Sequence, residues 1–252
     1  MRYFLELSYL GTPFSGWQKQ PQARSVQGEL EYAFSTLLRQ KVELVGCGRT
    51  DAGVHASYYV AHLDVAEPLP ENFLHRANRF LPPDIALHAL LPVPDEMHAR
   101  FSALERSYEY RIHCHKDPFL QNLSYHFPFC KDLAFAKLQQ AGRLIMQYDA
   151  FYPFCKSNSD ARHMKCQLHH ISWERKPQTG QLRFSISANR FLRGMVRLIV
   201  GACLQAGLGK LSIEELQKAL DEQTRLPQAW SVPARGLYLT DVIYPPIRKT
   251  DA

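Results

Sequence analysis

The chain has 252 residues, room for one large domain or two small ones, and 46% of them are hydrophobic, enough for a sizeable core. Lys and Arg number 30 against 24 Asp and Glu, a net charge of +6 that suits an anionic partner as well as simple solubility. No apolar run approaches the roughly 18 residues of a helical membrane span, and no low-complexity tract or short repeat occurs.

Residues 2–10, RYFLELSYL, alternate: Tyr3, Leu5, Leu7 and Tyr9 share one face, and Phe4 alone breaks the polar side. That pattern predicts a half-buried strand. A Gly- and Pro-punctuated loop, GTPFSGWQKQPQA, follows. Ser25 then stands as an N-cap before Val26, Leu30, Ala33, Phe34, Leu37 and Leu38 at helical spacing. KVELVGC and SYYVAHLDV predict two strands, Phe73 to Phe80 a short helix, and DIALHALLPV a fourth strand.

The second half reuses these parts. SYEYRIHCH alternates as a strand, and Ala134, Leu138, Ala141 and Ile145 mark a helix. HHISWERK and QLRFSISAN predict a strand pair around a PQTG turn. A strongly apolar helix is expected from about Phe191 to Ala206, stopped by Gly207. Ser212 with Glu215 forms a capping box for a shorter helix, and GLYLTDVIY closes the chain as a strand. The fold class expected is α+β: two halves, each an antiparallel-rich mixed sheet flanked by helices. The boundary falls near Ser102, giving halves 1–102 and 103–252 with no flexible linker between them.

Six cysteines (Cys47, Cys114, Cys130, Cys155, Cys166 and Cys203) form no C-x-x-C pair. A chain this long needs no disulfide framework, and Met1 leads straight into a strand pattern instead of a signal peptide. Six reduced thiols in a cytoplasmic protein are therefore expected. Cys155, His163, Cys166, His169 and His170 crowd a polar stretch, but their spacing is looser than structural zinc sites show.

The stretch GCGRTDAGVHA, residues 46–56, carries one acid, Asp51, with Arg49 two residues before and His55 four after. An Asp beside small residues is commonly a turn or capping acid. A tight loop at a strand end is also where functional side chains concentrate. Ordinary glycoside hydrolysis wants two carboxylates flanking one bond, and only one is offered. Cys47 reads as a packed core thiol. No Gly-rich phosphate-binding signature of either standard type is present.

GRTDAGVHA (48–56) resembles the signature of the TruA family of tRNA pseudouridine synthases, and other segments resemble that family in the same order. They are GTPFSGWQKQP (11–21), SVQGELE (25–31), LPPDI (81–85), HARFSA (98–103), the Tyr-x-Tyr of RSYEYRI (106–112), NRFLRGMVRLIVG (189–201) and ARGLYL (234–239). The chain departs from the family at Leu10, where Asp is usual, and in DAFYPF (149–154), which carries an inserted alanine or a register shift against the usual Asp-Phe-x-x-Phe.

The resemblance implies the pseudouridine synthase fold, with an active-site cleft between the halves. It implies isomerisation of uridine to pseudouridine at positions 38 to 40 of the tRNA anticodon arm, by a homodimer. Asp51 matches the catalytic carboxylate. Tyr108, Arg49 and Arg197 match substrate-binding positions, with Arg197 expected to pair with Asp51. An ionised carboxylate taken out of water needs such a cation. Arg197 sits among Val196, Leu198, Ile199 and Val200, where a guanidinium is hardly fully solvated. Tyr108 and Tyr110 share one face of their strand, so alternation alone does not separate them. Isomerisation gains no atoms and transfers no electrons, so neither cofactor nor metal is required. The rival readings are a non-catalytic tRNA-binding or chaperone module on the same scaffold, and a hydrolase of the glycosidic bond.

Overall fold

The computed structural model describes residues 1–156, 163–228 and 230–246, and these hold nine strands and five α-helices. The chain divides into two compact units, Met1–Arg106 with Tyr238–Ala252, and Ser107–Leu237. The first unit thus takes back the closing strand that the expected division, 1–102 and 103–252, assigned to the second half.

In the first unit, β1 (Arg2–Tyr9) lies between β3 (His55–Asp64) and β4 (Ile85–Val93), antiparallel to both. The alternation of β1 is realised: Tyr3, Leu5, Leu7 and Tyr9 are buried. Phe4 is buried too, because its ring packs against Tyr244 at 4.9 Å. β9 (Leu237–Ile243) pairs parallel to β3, with His55 opposite Tyr238 and Ala56 opposite Leu239.

Helix α1 (Val26–Leu38) starts where Ser25 predicts, the serine hydroxyl accepting from Gly28 N at 3.2 Å. It meets α2 (Phe73–Phe80) edge to face through Phe34 and Phe73 at 4.9 Å. The strand expected over KVELVGC shrinks to β2 (Val45–Gly46). The cause lies in α1, whose side chains take the backbone groups that a ladder would use. Leu44 N donates to Glu31 at 3.2 Å, Leu44 O accepts from Gln27 at 2.9 Å, and Val42 N donates to Ser35 at 2.9 Å.

In the second unit, β7 (Leu168–Arg175) and β8 (Leu182–Ala188) form the expected antiparallel pair. β5 (Glu105–His113) gains a short parallel neighbour, β6 (Tyr125–His126), which the sequence did not suggest. Its arrival corrects the expectation of six reduced thiols. Cys114 follows β5 and Cys130 follows β6, their α-carbons are 5.5 Å apart, and they are joined as a disulfide. The other four cysteines are free and buried.

Helices α3 (Phe135–Ile145), α4 (Met195–Gly207) and α5 (Ile213–Asp221) complete this unit. α4 begins four residues later than its apolar run suggested, because Gly194 takes a left-handed φ of 71° and breaks the helix there. Gly207 is its last residue, and the turn away is made by Gly209 at φ 70°. Among the described residues, no helix is long and apolar enough to cross a membrane.

Candidate active site

The 46–56 stretch joins β2 to β3, and the loop after β1 grips its backbone. Trp17 N donates to Thr50 O at 3.2 Å, and Gly53 N donates to Phe14 O at 3.3 Å. Gly16 is held at φ 98° against Thr50 O, where any Cβ would collide. A glycine is therefore required in GTPFSGW for the two loops to touch. Tyr9 Oη and Thr50 Oγ1 share a buried hydrogen bond of 2.9 Å. Gly11 N donates to Nδ1 of His55, a fully buried ring stacked on Tyr238 at 4.5 Å. That donation fixes Nδ1 as an acceptor, which makes the ring neutral.

Asp51 is half-buried on a turn closed by Val54 N donating to Asp51 O at 3.1 Å, with Gly53 at φ 76°. The backbone on both sides is fixed, so the carboxylate is presented from a rigid frame. Rigid presentation suits an acid that must meet one atom of a substrate. Arg49 is exposed, and among the described residues its guanidinium makes no ion pair or hydrogen bond. It does not spend its charge on the adjacent acid. Cys47 is buried, and burial pushes its thiol up to about 11. At neutral pH it is a protonated core group with no nucleophilic thiolate.

In the second unit, the structure separates the two tyrosines that alternation could not. Tyr110 is fully buried and its hydroxyl donates to Pro233 O at 2.7 Å. Burial pushes that phenol well above its ordinary range. Tyr108 is half-buried, its ring edge-on to Phe191 at 5.2 Å, the residue where the run into α4 begins. Arg197 lies in the first turn of α4 and is half-buried. Its Nε donates to Val232 O at 2.6 Å, and Val232 N donates back to Arg197 O at 3.3 Å. This exchange anchors the stem of the side chain to the 230–233 segment.

Reading the residues alone passed over Arg106. Its guanidinium donates to Cys47 O at 2.9 Å, to Ala103 O at 3.0 Å and to Arg100 O. It thereby staples the stem of the Asp51 loop to the HARFSA turn. Residues 47 and 106 lie 59 apart in sequence, so no local pattern carries that link. The same reading also passed over Gln27 and Glu31, four apart on α1, whose targets are the backbone groups of Leu44. For the cysteine and histidine crowd at 155–170, His163 contacts Arg190 and His170 pairs with Ser172 at 2.8 Å. Among the described residues, no group of three or more His, Cys, Asp and Glu is arranged to hold a metal.

Comparison with known proteins bears on what this arrangement is for. A family model described as tRNA pseudouridine synthase matches residues 149–245. The tRNA pseudouridine synthase A of Porphyromonas gingivalis is 43% identical over 97% of this chain and 97% of its own length. The chain belongs to the tRNA pseudouridine synthase family. Members of the same name from Parabacteroides distasonis and Bacillus licheniformis are 42% and 36% identical, each over 97% of this chain and at least 96% of their own length. A tRNA pseudouridine synthase is an isomerase. The family model spans Arg197 and β9, and the whole-length relatives extend the match across the Asp51 loop.

Proposed function

We propose that the chain isomerises uridines 38 to 40 of the tRNA anticodon arm, with Asp51 as the catalytic carboxylate. The observation that carries this is the Asp51 loop, a single acid on a rigid, glycine-braced turn, in a chain related end to end to tRNA pseudouridine synthases. In the reaction the N1–C1′ bond of uridine breaks, the uracil turns, and C5 bonds to C1′. The C5 proton leaves and N1 gains one, so atoms and electrons balance without a cofactor.

Asp51 acts as an anion, either on the sugar carbon or on a ribose proton. By the family resemblance, Arg197 is the cation that balances its charge. Tyr108 stacks on the uracil and takes the C5 proton, and its half-exposed position supports that role better than the buried Tyr110 could. The uridine must leave its stack to be reached, at a cost of a few kcal/mol. Arg49, exposed and unpaired, holds the opened strand. Neighbouring positions share one enzyme when shape is read over sequence, as is usual for folded RNA. A homodimer, carried over from the family resemblance, completes the reading.

The test is product analysis. Unmodified tRNA is incubated with the protein, digested, and its nucleosides quantified. Pseudouridine at 38 to 40 is expected. Unchanged RNA that still binds would mean a non-catalytic module, and free uracil would mean a hydrolase.

A further inference from the structure

Within the first unit, beside the Asp51 loop, lies a concavity of about 150 Å³ with Arg49 and Arg100 in its lining. Four arginines elsewhere (Arg2, Arg24, Arg111 and Arg183) each face a carboxylate. Arg49 and Arg100 face none among the described residues. Two uncompensated guanidiniums at one hollow make a local positive field that draws an anion.

The hollow is built from held parts. Trp17, stacked on Tyr59 at 4.1 Å, lines it, and Gly46 packs so closely on both rings that no Cβ fits. Gln18 lines it with its amide oriented by Gln27, whose Oε1 accepts from Gln18 at 3.0 Å and from Lys19 N at 2.9 Å. Gln27 is held in turn by the buried Glu31 at 3.0 Å, itself paired with Lys19 at 3.1 Å. Gly48 leaves open space where a Cβ would stand.

Arg100 is placed as firmly. Arg100 N donates to His98 Nδ1 at 3.1 Å, Ala99 N donates to the buried His62 at 3.1 Å, and Arg106 ties Arg100 O to the stem of the Asp51 loop. Its guanidinium lies 5.6 Å from the Phe101 ring centroid. One arginine thus comes from the Asp51 loop and one from the HARFSA turn, and Arg106 locks the two segments together.

We propose that this concavity seats a backbone phosphodiester of the substrate RNA strand, next to the uridine at Asp51, with Arg49 and Arg100 as its two cationic walls. Guanidinium forks match phosphate oxygens. Such contacts set the register of a strand without reading its bases, which suits one enzyme serving adjacent positions. The inference rests on the proposed function and adds Arg100 to it as a positioning residue.

The test is the salt dependence of tRNA binding, alongside kcat and KM for tritium release from C5-labelled tRNA. Arg100→Gln and Arg100→Glu are compared with wild type and with Lys41→Gln, an exposed lysine outside the hollow that pairs with Glu43. Loss of one phosphate contact lowers the slope of log K against log salt by about 0.7 to 0.9. That change is expected in Arg100→Gln, with KM raised roughly tenfold and kcat reduced by less than about threefold. Arg100→Glu should bind more weakly still, and Lys41→Gln should keep the wild-type slope. A wild-type slope and KM in both Arg100 variants would overturn the seat. So would an equal fall in Lys41→Gln, or a loss of kcat at unchanged KM. A wild type that binds tRNA but releases no tritium would count against the proposed function instead, and the binding slopes would still decide the seat.

Discussion

At the residue scale, Tyr108 and Tyr110 make the sharpest pair. They stand two apart on one strand, yet Tyr110 spends its hydroxyl on Pro233 O in the interior while Tyr108 stays half-exposed. Tyr110→Phe leaves that carbonyl short of a donor, so it should cost about 1 to 3 kcal/mol of stability in urea unfolding while turnover is kept. Tyr108→Phe should leave stability nearly unchanged and lower turnover roughly 100-fold, the lower range for loss of a positioned proton acceptor. Turnover lost by Tyr110→Phe and kept by Tyr108→Phe would reverse the assignment. The motif distinguished the two tyrosines on resemblance alone. Burial sets them apart in the structure, and alternation could not, because both side chains point the same way.

His62 sets a pH dependence at the same scale. It is buried, accepts from Ala99 N at 3.1 Å, and lies edge-on to His98 at 4.6 Å. Burial first, then the positive charges of Arg2 and His98, push its pKa down from 6.5 to about 4, against a weaker opposing pull from Asp64. The folded state therefore binds fewer protons than the unfolded chain through this window. The stability it contributes is complete above about 6.5 and is lost as pH falls from there toward about 4. The HARFSA turn should loosen with it, since a protonated ring no longer accepts from Ala99. His62→Asn, which keeps an acceptor and cannot titrate, should show a smaller loss of urea midpoint between pH 7 and pH 4.5. An identical loss in both proteins would remove His62 as the cause.

At the element scale, periodicity and capping were the legible signals. Ser25 and Ser212 mark helix starts that the structure keeps to the residue, and Glu215 answers Ser212 in a reciprocal capping box. Ser212→Ala should therefore cost about 1 kcal/mol in denaturant unfolding, with activity unaffected. No measurable cost would show that packing alone fixes α5. Elements were misread where the deciding partner is distant. KVELVGC alternates like a strand, but Gln27 and Glu31 of α1 capture its peptide groups. FLRG is apolar enough for helix, but Gly194 turns it aside. β6 and the disulfide of Cys114 with Cys130 depend on one parallel pairing, for which a two-residue strand offers no pattern.

At the scale of the whole molecule, resemblance supplied an expectation that local patterns did not. The Asp51 loop, the Tyr-x-Tyr strand and the Met-Val-Arg helix lie far apart in the chain, and no periodicity links them. The return of β9 to the first unit beside β3 also escaped the sequence, since a closing strand carries no mark of the sheet it joins. The reason for GTPFSGWQ became visible only in three dimensions: its glycines let one loop of the chain lie against another, and the Asp51 turn is rigid as a result. The most direct measurement uses unmodified tRNA carrying tritium at C5 of its uridines. Isomerisation at Asp51 predicts that the wild type releases tritium to water and that Asp51→Ala releases none while still binding the tRNA. Release persisting in Asp51→Ala, or none from a wild type that binds folded tRNA, would contradict it.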